Sequence, residues 1–198
     1  MAYRYLFQMV GCFVLTLTLA FPAYACKYID LPSDYARHFR YSVKKHWHRD
    51  LHKNYELLVA QCYTESALNP RARSPVGALG ICQIMPNTFK EEAKRAGLLK
   101  GSARRVQDNI RISAQYMARL MAAWTTPRDN ECRIELAWAS YNAGMGNILK
   151  AQKKANNALC WERIKYALPE VTGKHSRETI NYVSRIWGHF RCLKGLRL

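Results

Sequence analysis

The chain has 198 residues, of which 31 are Lys or Arg and 14 are Asp or Glu, giving a formal net charge of +17 at pH 7. This length suits one domain with an adequate core, and the absence of internal repeats and low-complexity linkers argues against a repeat array. The surplus of positive charge favours polyanionic partners, namely nucleic acid, acidic lipid or an anionic cell wall.

The first 25 residues have the pattern of a signal peptide. Met1 to Arg4 is a short basic start, an apolar run follows to Phe21, and Ala23-Tyr24-Ala25 has the small-x-small pattern of a signal-peptidase site. We predict a cleaved signal peptide over residues 1–25 and an exported, periplasmic or extracellular domain over 26–198, with no stable membrane span after cleavage. A retained anchor is the alternative. Export argues against nucleic acid as the partner.

Helical periodicity predicts an all-α fold with short connections, without a convincing alternating strand pattern. We predict a first helix from Ser33 to about His52 and a second over Tyr55–Ser66. A loop follows between Pro70 and Gly80, where proline and glycine interrupt any regular pattern. A capping box at Thr88-x-x-Glu91 predicts a third helix that stops near Gly97.

Three features are predicted in the second half of the chain. Cys132 to Tyr141 is a largely apolar helix, expected at the centre of the domain. Ser176 to Phe190 is predicted to close the domain, with Tyr182 at the edge of its apolar face, where the hydroxyl can reach a cleft. Asp108 is expected to cap a helix whose buried face carries Ile110, Ala114, Met117, Met121 and Trp124.

Three histidines near the start of the mature chain do not predict a metal site. His46, His48 and His52 lie among lysines and arginines, which would repel a cation. We interpret this segment as a solvated basic face. With Trp47 between the histidines, the face could instead grip glycan or wall phosphate.

Cysteine usage fits an exported protein. Cys12 lies inside the predicted signal peptide, and an even number of cysteines in the exported part is typical of a disulfide framework, whose pairing the sequence does not choose. No C-x-x-C motif or Cys/His cluster at zinc spacing is present, so we predict no metal and no cofactor. Acylation of Cys26 in a lipoprotein is disfavoured, because Ala-Tyr-Ala precedes it. The remaining cysteines are Cys26, Cys62, Cys82, Cys132, Cys160 and Cys192.

One carboxylate stands out in the sequence. Glu65 is the only formally charged residue between Leu57 and Pro70. A carboxyl group among apolar side chains is disfavoured in its ionised form, so its pKa should rise toward neutrality. In that state it can donate a proton to a leaving oxygen and later take one back. We predict that Glu65 is a catalytic acid/base.

Four sequence blocks resemble the soluble lytic transglycosylase family and occur in the family's order. They are Glu65-Ser66-x-x-Asn69-Pro70 with Ser74-x-x-Gly77-Ala78-x-Gly80, then Gly80-Ile-Cys-Gln-Ile-Met-Pro86, Ala139-Ser-Tyr-Asn-Ala-Gly144 and Glu178-Thr179-x-x-Tyr182-Val183. Any one block alone would be weak, but the four together span residues 55–190. The resemblance implies a single lysozyme-like domain of the goose type.

The resemblance also implies a substrate and a reaction. The expected substrate is peptidoglycan, cleaved without water at the β-1,4 bond between N-acetylmuramic acid and N-acetylglucosamine to leave a 1,6-anhydromuramyl end. The muramyl sugar would supply its own nucleophiles, so one carboxyl group suffices where ordinary glycosidases use two.

Roles for further residues come from the same resemblance. Tyr141 matches the tyrosine that hydrogen-bonds the glutamate, while Ser74, Gln83 and Tyr182 match residues that line the sugar subsites. Asn142 is expected to orient its loop. For the two tyrosines the alternative is plain core packing, and for Gln83 it is an amide satisfied by backbone.

Two cysteines depart from the family pattern. Cys82 replaces the usual methionine of the second block, and Cys62 lies three residues before Glu65, on the same side of a helix. A disulfide through either cysteine would brace the region around Glu65.

Two other functions remain open from the sequence. A hydrolytic muramidase of the same fold would need a second carboxylate, and Asp108 or Glu135 could serve if folding brings it near Glu65. The non-enzymatic alternative is an inactive cationic wall-binding component, which would have no need of Glu65. As an enzyme, the protein is expected to open the wall locally for a secretion, conjugation, pilus or phage apparatus.

Overall fold

The computed structural model describes residues 29–195 and confirms a mainly helical fold. Within that range, β structure is limited to isolated bridges of Leu79 with Arg73 and Ile84. The predicted signal peptide and Cys26 lie outside the described residues. No helix between residues 29 and 195 combines the length and apolarity that crossing a bilayer would require. The α-helices are α1 (Ser33–His46), α2 (Glu56–Ser66), α3 (Pro86–Arg95), α4 (Val106–Ala123), α5 (Asn130–Ala143), α6 (Met145–Lys154), α7 (Trp161–Ile164), α8 (Pro169–Thr172) and α9 (Ser176–Leu193).

Helix α1 ends earlier than its apolar spacing predicts. The backbone of Trp47 is extended, with φ −91° and ψ 162°, and a short 3-10 helix follows over Arg49–Asn54. The Trp47 side chain turns into the core, where its indole N–H donates to the carbonyl oxygen of Ala114 at 3.0 Å. The predicted continuation to His52 is therefore wrong, because burial of this tryptophan competes with the last helical turn.

Two predicted N-caps are also wrong. Helix α3 begins at Pro86, whose fixed φ and missing N–H suit the first helical position, so Thr88 lies inside the first turn. Asp108 likewise lies inside the first turn of α4. Its carboxylate accepts hydrogen bonds from the backbone N–H of Ser102 and the guanidinium of Arg105, both at 3.0 Å, and so holds the preceding loop.

The core lies where α2, α4, α5 and α9 meet. Helix α9 packs against both α2 and α5, and α5 also contacts α4. The predicted central position of α5 is confirmed by Trp138, which is fully buried and meets the ring of Trp187 edge to face at 5.2 Å. Because α2 and α9 lie side by side, the first and last sequence blocks come together. The five positions predicted to be buried along the α4 segment are all buried: Ile110, Ala114, Met117, Met121 and Trp124.

Disulfides join elements that are distant in sequence. Cys62 of α2 is bonded to Cys82 in the loop before α3, and Cys132 of α5 is bonded to Cys160 at the start of α7. Cys192 is disulfide-bonded as well. The first two bridges close segments of 20 and 28 residues. Restricting the unfolded chain in this way stabilises the fold by about 3 kcal/mol per bridge.

Candidate active site

Glu65 lies in the last turn of α2, where the helix stops abruptly. Ala67 and Leu68 follow in the left-handed region, with φ 53° and 62°, and turn the chain away from the helix axis. The hydroxyl of Ser66 donates to the carbonyl oxygen of Ile81 at 2.7 Å. The helix end that carries Glu65 is thereby fastened to the loop before α3.

Several groups act on the Glu65 carboxyl. Burial raises its pKa to about 7, while a hydrogen bond from Tyr182 and the nearby charge of Arg185 oppose that rise and the charge of Glu178 adds to it. The Tyr182 hydroxyl donates to Glu65 Oε1 at 2.6 Å. A pKa near neutrality means that both the acid and the carboxylate are populated close to pH 7, as the apolar surroundings of Glu65 in the sequence predict.

Two tyrosines lie beside Glu65 and have different partners. Tyr182 is only 2% exposed, and burial together with the charge of Glu65 raises its pKa, so it remains a hydrogen-bond donor. The Tyr141 hydroxyl donates instead to the carbonyl oxygen of Cys82 at 2.8 Å. Burial and the charge of Glu65 raise the pKa of Tyr141 too. The hydrogen bond expected from Tyr141 is thus made by Tyr182, because α9 rather than α5 faces Oε1.

Gln83 lies at the tip of the loop that Cys82 anchors. Its backbone has φ 48°, and its side-chain amide donates to the carbonyl oxygen of Gly80 at 2.9 Å. The amide is therefore satisfied by backbone, the alternative that the sequence left open. The half-buried side chain keeps its carbonyl oxygen as a further acceptor.

Asn109 of α4 is a structural support that sequence reasoning missed. Its fully buried side chain accepts from the N–H of Cys82 at 3.0 Å and donates to the carbonyl oxygens of Leu79 and Ala103 at 2.9 and 2.7 Å. A Cβ at Gly80, where φ is +74°, would lie 2.5 Å from the Asn109 amide nitrogen. The only signal in the sequence is a polar residue in a helix whose buried positions are mostly apolar.

Ser74 closes the turn between α2 and the Cys82 loop. Its Oγ accepts from the N–H of Ala78 at 2.9 Å, and its own N–H donates to the carbonyl oxygen of Ala78 at 3.0 Å. Gly77, with φ +93°, makes this tight turn possible. Because Ser74 Oγ accepts in this bond, its hydroxyl proton is available to a ligand.

Asn142 joins the end of α5 to the start of α9. Its Oδ1 accepts from the Thr179 hydroxyl at 2.7 Å, and its amide donates to Glu178 Oε1 at 3.5 Å. These residues line an open cavity of about 410 Å³ together with Asn147 and His175. These contacts tie Asn142 to α9, and its orienting role stays a prediction.

The structure brings Glu65 together with Tyr141 and Tyr182, and it places Gln83 beside Cys82, whose carbonyl accepts from Tyr141. Ser74 lies in the loop after α2 and Asn142 in the last turn of α5, and the hydrogen bonds of both go to residues other than Glu65. The arrangement offers one buried proton-transfer group that is held by a tyrosine.

Trp47 does not lie on the solvated basic face that the histidine-rich segment is predicted to form. Trp47 is buried, and its carbonyl oxygen lies 2.9 Å from His52 Nε2. Burial lowers the pKa of His46 to about 4, and the charges of Lys45 and Arg111 add to this. The suggestion that Trp47 contacts glycan is therefore wrong.

Comparison with known proteins agrees with this geometry. The family model described as Transglycosylase SLT domain matches residues 42–164, which include Glu65, Gln83 and Tyr141. The chain belongs to this family. A membrane-bound lytic murein transglycosylase F from Pectobacterium atrosepticum is 32% identical over 159 residues, covering 72% of this SLT chain and 31% of the relative. Its counterpart in Yersinia enterocolitica is 33% identical over 152 residues, covering 67% of this SLT chain and 29% of the relative. The SLT chain thus spans less than a third of the length of these relatives.

Solved structures show the same fold. An inactive Glu-to-Gln mutant of the lytic transglycosylase Slt from Pseudomonas aeruginosa matches 84% of this SLT chain and 25% of its own, with a TM-score of 0.64 and 25% identity. The 70 kDa soluble lytic transglycosylase from Escherichia coli matches 82% of the chain and 25% of its own, with a TM-score of 0.61 and 24% identity.

Proposed function

We propose that this SLT-family protein is a lytic murein transglycosylase that cleaves the β-1,4 bond between N-acetylmuramic acid and N-acetylglucosamine, with Glu65 as the single acid/base. The observation that carries the proposal is a carboxyl group with a pKa of about 7, hydrogen-bonded by Tyr182. The family to which the chain belongs supports the reaction type.

In the first step, protonated Glu65 donates its proton to the glycosidic oxygen. The bond from that oxygen to C1 of the muramyl residue breaks, and N-acetylglucosamine leaves with a new hydroxyl group. The 2-acetamido oxygen of the muramyl residue bonds to C1. This closes a five-membered ring, over which the positive charge is spread. Glu65 is now a carboxylate, and the hydrogen bond from Tyr182 stabilises the new charge.

In the second step, the Glu65 carboxylate takes the proton of the muramyl 6-hydroxyl. The freed oxygen attacks C1 and displaces the acetamido oxygen, which closes the 1,6-anhydro ring. Glu65 is again protonated, and no water is consumed. A pKa close to 7 suits both steps, since each needs the form that the other produces.

A solved relative supports the role of a glutamate. The Pseudomonas aeruginosa Slt structure is that of an inactive mutant in which one glutamate is replaced by glutamine. We expect Glu65→Gln to have the same consequence here, because an amide can accept the Tyr182 hydrogen bond but cannot transfer a proton.

The experiment is mass spectrometry of the muropeptides released from purified sacculi by the oxidised protein, in parallel with Glu65→Gln. Products lighter by one molecule of water than hydrolytic muropeptides, absent with the variant, support the proposal. Hydrated reducing ends would make the protein a muramidase. Sacculi that bind both proteins and release nothing would favour the inactive wall-binding component.

A hydrolytic muramidase would need a second carboxylate to hold the attacking water, and neither of the two that the sequence suggested suits this role. Asp108 is held by Ser102 and Arg105, and Glu135 accepts the indole N–H of Trp187 at 2.7 Å. The acid whose charge acts on Glu65 is Glu178. A water-holding role would therefore fall to Glu178.

We place the reaction outside the cytoplasmic membrane, where the predicted signal peptide would send the chain and where disulfides persist. Local opening of the wall for a secretion, conjugation, pilus or phage apparatus follows as part of the proposal. A strain lacking the protein should fail to assemble such an apparatus, and normal assembly would argue against this role.

A further inference from the structure

Gln61 is a buried amide on the helix that carries Glu65. It lies one turn before Glu65 in α2 and is 0% exposed. Neither its side-chain oxygen nor its nitrogen makes a hydrogen bond of good geometry with any residue between 29 and 195. A fully buried amide in this state is unusual and needs an explanation.

An apolar residue of the same length would suit this position better for stability alone. Moving an amide out of water without a well-formed hydrogen bond is unfavourable, whereas a methionine side chain would fill the same volume without that penalty. The neighbours of Gln61 on the helix follow the apolar rule, since Leu57, Leu58 and Val59 are all buried. The polar group at Gln61 therefore points to a role other than packing.

The polar group on which Gln61 acts is the Tyr182 hydroxyl of α9, the helix that packs against α2. The Gln61 side chain slightly opposes the rise in the pKa of Tyr182 that burial and Glu65 cause, which is the effect of a donor group near the phenol oxygen. The same hydroxyl donates to Glu65 Oε1 at 2.6 Å. In a relay from the amide through the phenol to the carboxyl, this is the second hydrogen bond, and the packing of α2 against α9 brings the helix of Gln61 beside that of Tyr182.

We propose that Gln61 is a positioning residue that donates to the Tyr182 oxygen and thereby directs and strengthens the Tyr182 hydrogen bond to Glu65. A hydroxyl that accepts one hydrogen bond becomes a better donor in the next, so the chain favours the carboxylate form of Glu65. The other groups that face Glu65 are Arg185 and Glu178 from α9 and Tyr141 from α5. The inference deepens the proposed function. Only the expected effect of Gln61 on turnover depends on that function being correct.

The test is a double-mutant cycle between Gln61→Met and Tyr182→Phe in the oxidised protein. The readout is the pKa of Glu65, followed by carbon-13 NMR of labelled glutamate carboxyls, with the Glu65 signal assigned as the one missing from Glu65→Gln. Gln61→Met should raise this pKa in the presence of Tyr182, because the carboxylate loses part of its stabilisation. In the Tyr182→Phe background, Gln61→Met should leave the Glu65 pKa unchanged.

Two results would overturn the inference: an unchanged Glu65 pKa in Gln61→Met, or the same shift with and without the Tyr182 hydroxyl. Leu57→Met, one turn earlier on α2, controls for a methionine in this helix and should leave Glu65 unaffected. Gln61→Leu serves as a second apolar variant. Neither Gln61 variant should lower the melting temperature, since each removes a poorly satisfied amide, so a lost relay is distinguishable from a lost fold.

Turnover is the second readout. If the protein forms anhydro products, Gln61→Met should lower kcat several-fold with little change in KM and should move the basic limb of the pH profile to higher pH. The NMR cycle needs no substrate. Failure of the proposed function would therefore leave the relay standing, and failure of the relay would leave the reaction assignment standing.

Discussion

Single side chains around Glu65 push its pKa in opposite directions. Burial raises the pKa most strongly, and the Tyr182 hydroxyl and the charge of Arg185 limit the rise. The result is a group that is close to half protonated at neutral pH. A pKa near the working pH lets one carboxyl group give up a proton in the first step and recover it in the second without a large free-energy cost in either direction.

Tyr182→Phe removes the hydroxyl that stabilises the charged form of Glu65. We expect the Glu65 pKa to rise and kcat to fall about tenfold to a hundredfold, as for loss of a hydrogen bond to a charged group. Because Glu65 must be protonated for the first step, the basic limb of the rate profile should move to higher pH. Rate measurements across the pH range check this, and a profile that keeps its shape and height would show that Tyr182 does not act on Glu65.

The raised pKa of Glu65 has a consequence for stability. The folded state binds this proton more tightly than the unfolded chain does, so the stabilisation that Glu65 contributes is complete below its ordinary pKa of 4.5 and is lost as pH rises through about 7. Glu65→Gln lacks this loss and should be more stable than the wild type above neutral pH, by up to about 3 kcal/mol. Denaturant unfolding of both proteins at several pH values measures it. A stability difference that does not change with pH would contradict the shift.

For single residues, the sequence predicts the raised pKa of Glu65 but not which tyrosine hydrogen-bonds its carboxyl group. The apolar neighbours of Glu65 are local in sequence, so its raised pKa follows from them. Whether Tyr141 or Tyr182 reaches Oε1 depends on how α5 and α9 pack around α2, which no local pattern specifies. The role of Asn109 is hidden for the same reason, because its partners are backbone groups up to 30 residues away.

Among the elements, the loop between α2 and α3 is held in place by a disulfide and by side chains of two helices. The Cys62–Cys82 disulfide, the Asn109 side chain and the Tyr141 hydroxyl all hold it at Cys82, the residue before Gln83. The Cys132–Cys160 disulfide braces α5 and α7. The two bridges therefore differ in what they position, although both close segments of similar length.

This difference predicts different effects on activity. Replacing both Cys62 and Cys82 by Ala should lower stability by about 3 kcal/mol and also lower kcat, because the loop loses its bond to α2. The matched replacement of Cys132 and Cys160 by Ala should cost about the same stability with kcat retained. Unfolding curves and sacculus digestion well below the melting temperature separate the two. Equal losses of kcat would show that the first bridge has only a stabilising role.

The boundaries of the elements show where sequence patterns fail. Helices α2 and α5 and the start of α9 agree with prediction, because α2 and α5 are largely apolar runs and α9 carries apolar residues at helical spacing. The predicted end of α1 is wrong because Trp47 continues the apolar pattern in the sequence, whereas in the structure its indole N–H donates a hydrogen bond to α4 and the helix stops before it. Helices α7 and α8 have four residues each, which is too short for periodicity to show.

At the scale of the whole molecule, the surplus of positive charge suits the anionic wall that we propose as the substrate. The net charge of +17 should attract the anionic wall before Glu65 acts. We expect Glu65→Gln to sediment with purified sacculi and its binding to weaken steeply as salt is raised, because salt screens surface charges. Binding that is insensitive to salt would mean that neutral sugar contacts alone hold the protein.

The central claim is that Glu65 works without an attacking water. The most direct measurement is digestion of purified sacculi in water labelled with heavy oxygen, followed by mass spectrometry of the new muramyl ends. The proposed mechanism predicts anhydro ends without label, and no new ends from Glu65→Gln. Heavy oxygen at the reducing end would contradict it and assign the protein to the hydrolytic muramidases.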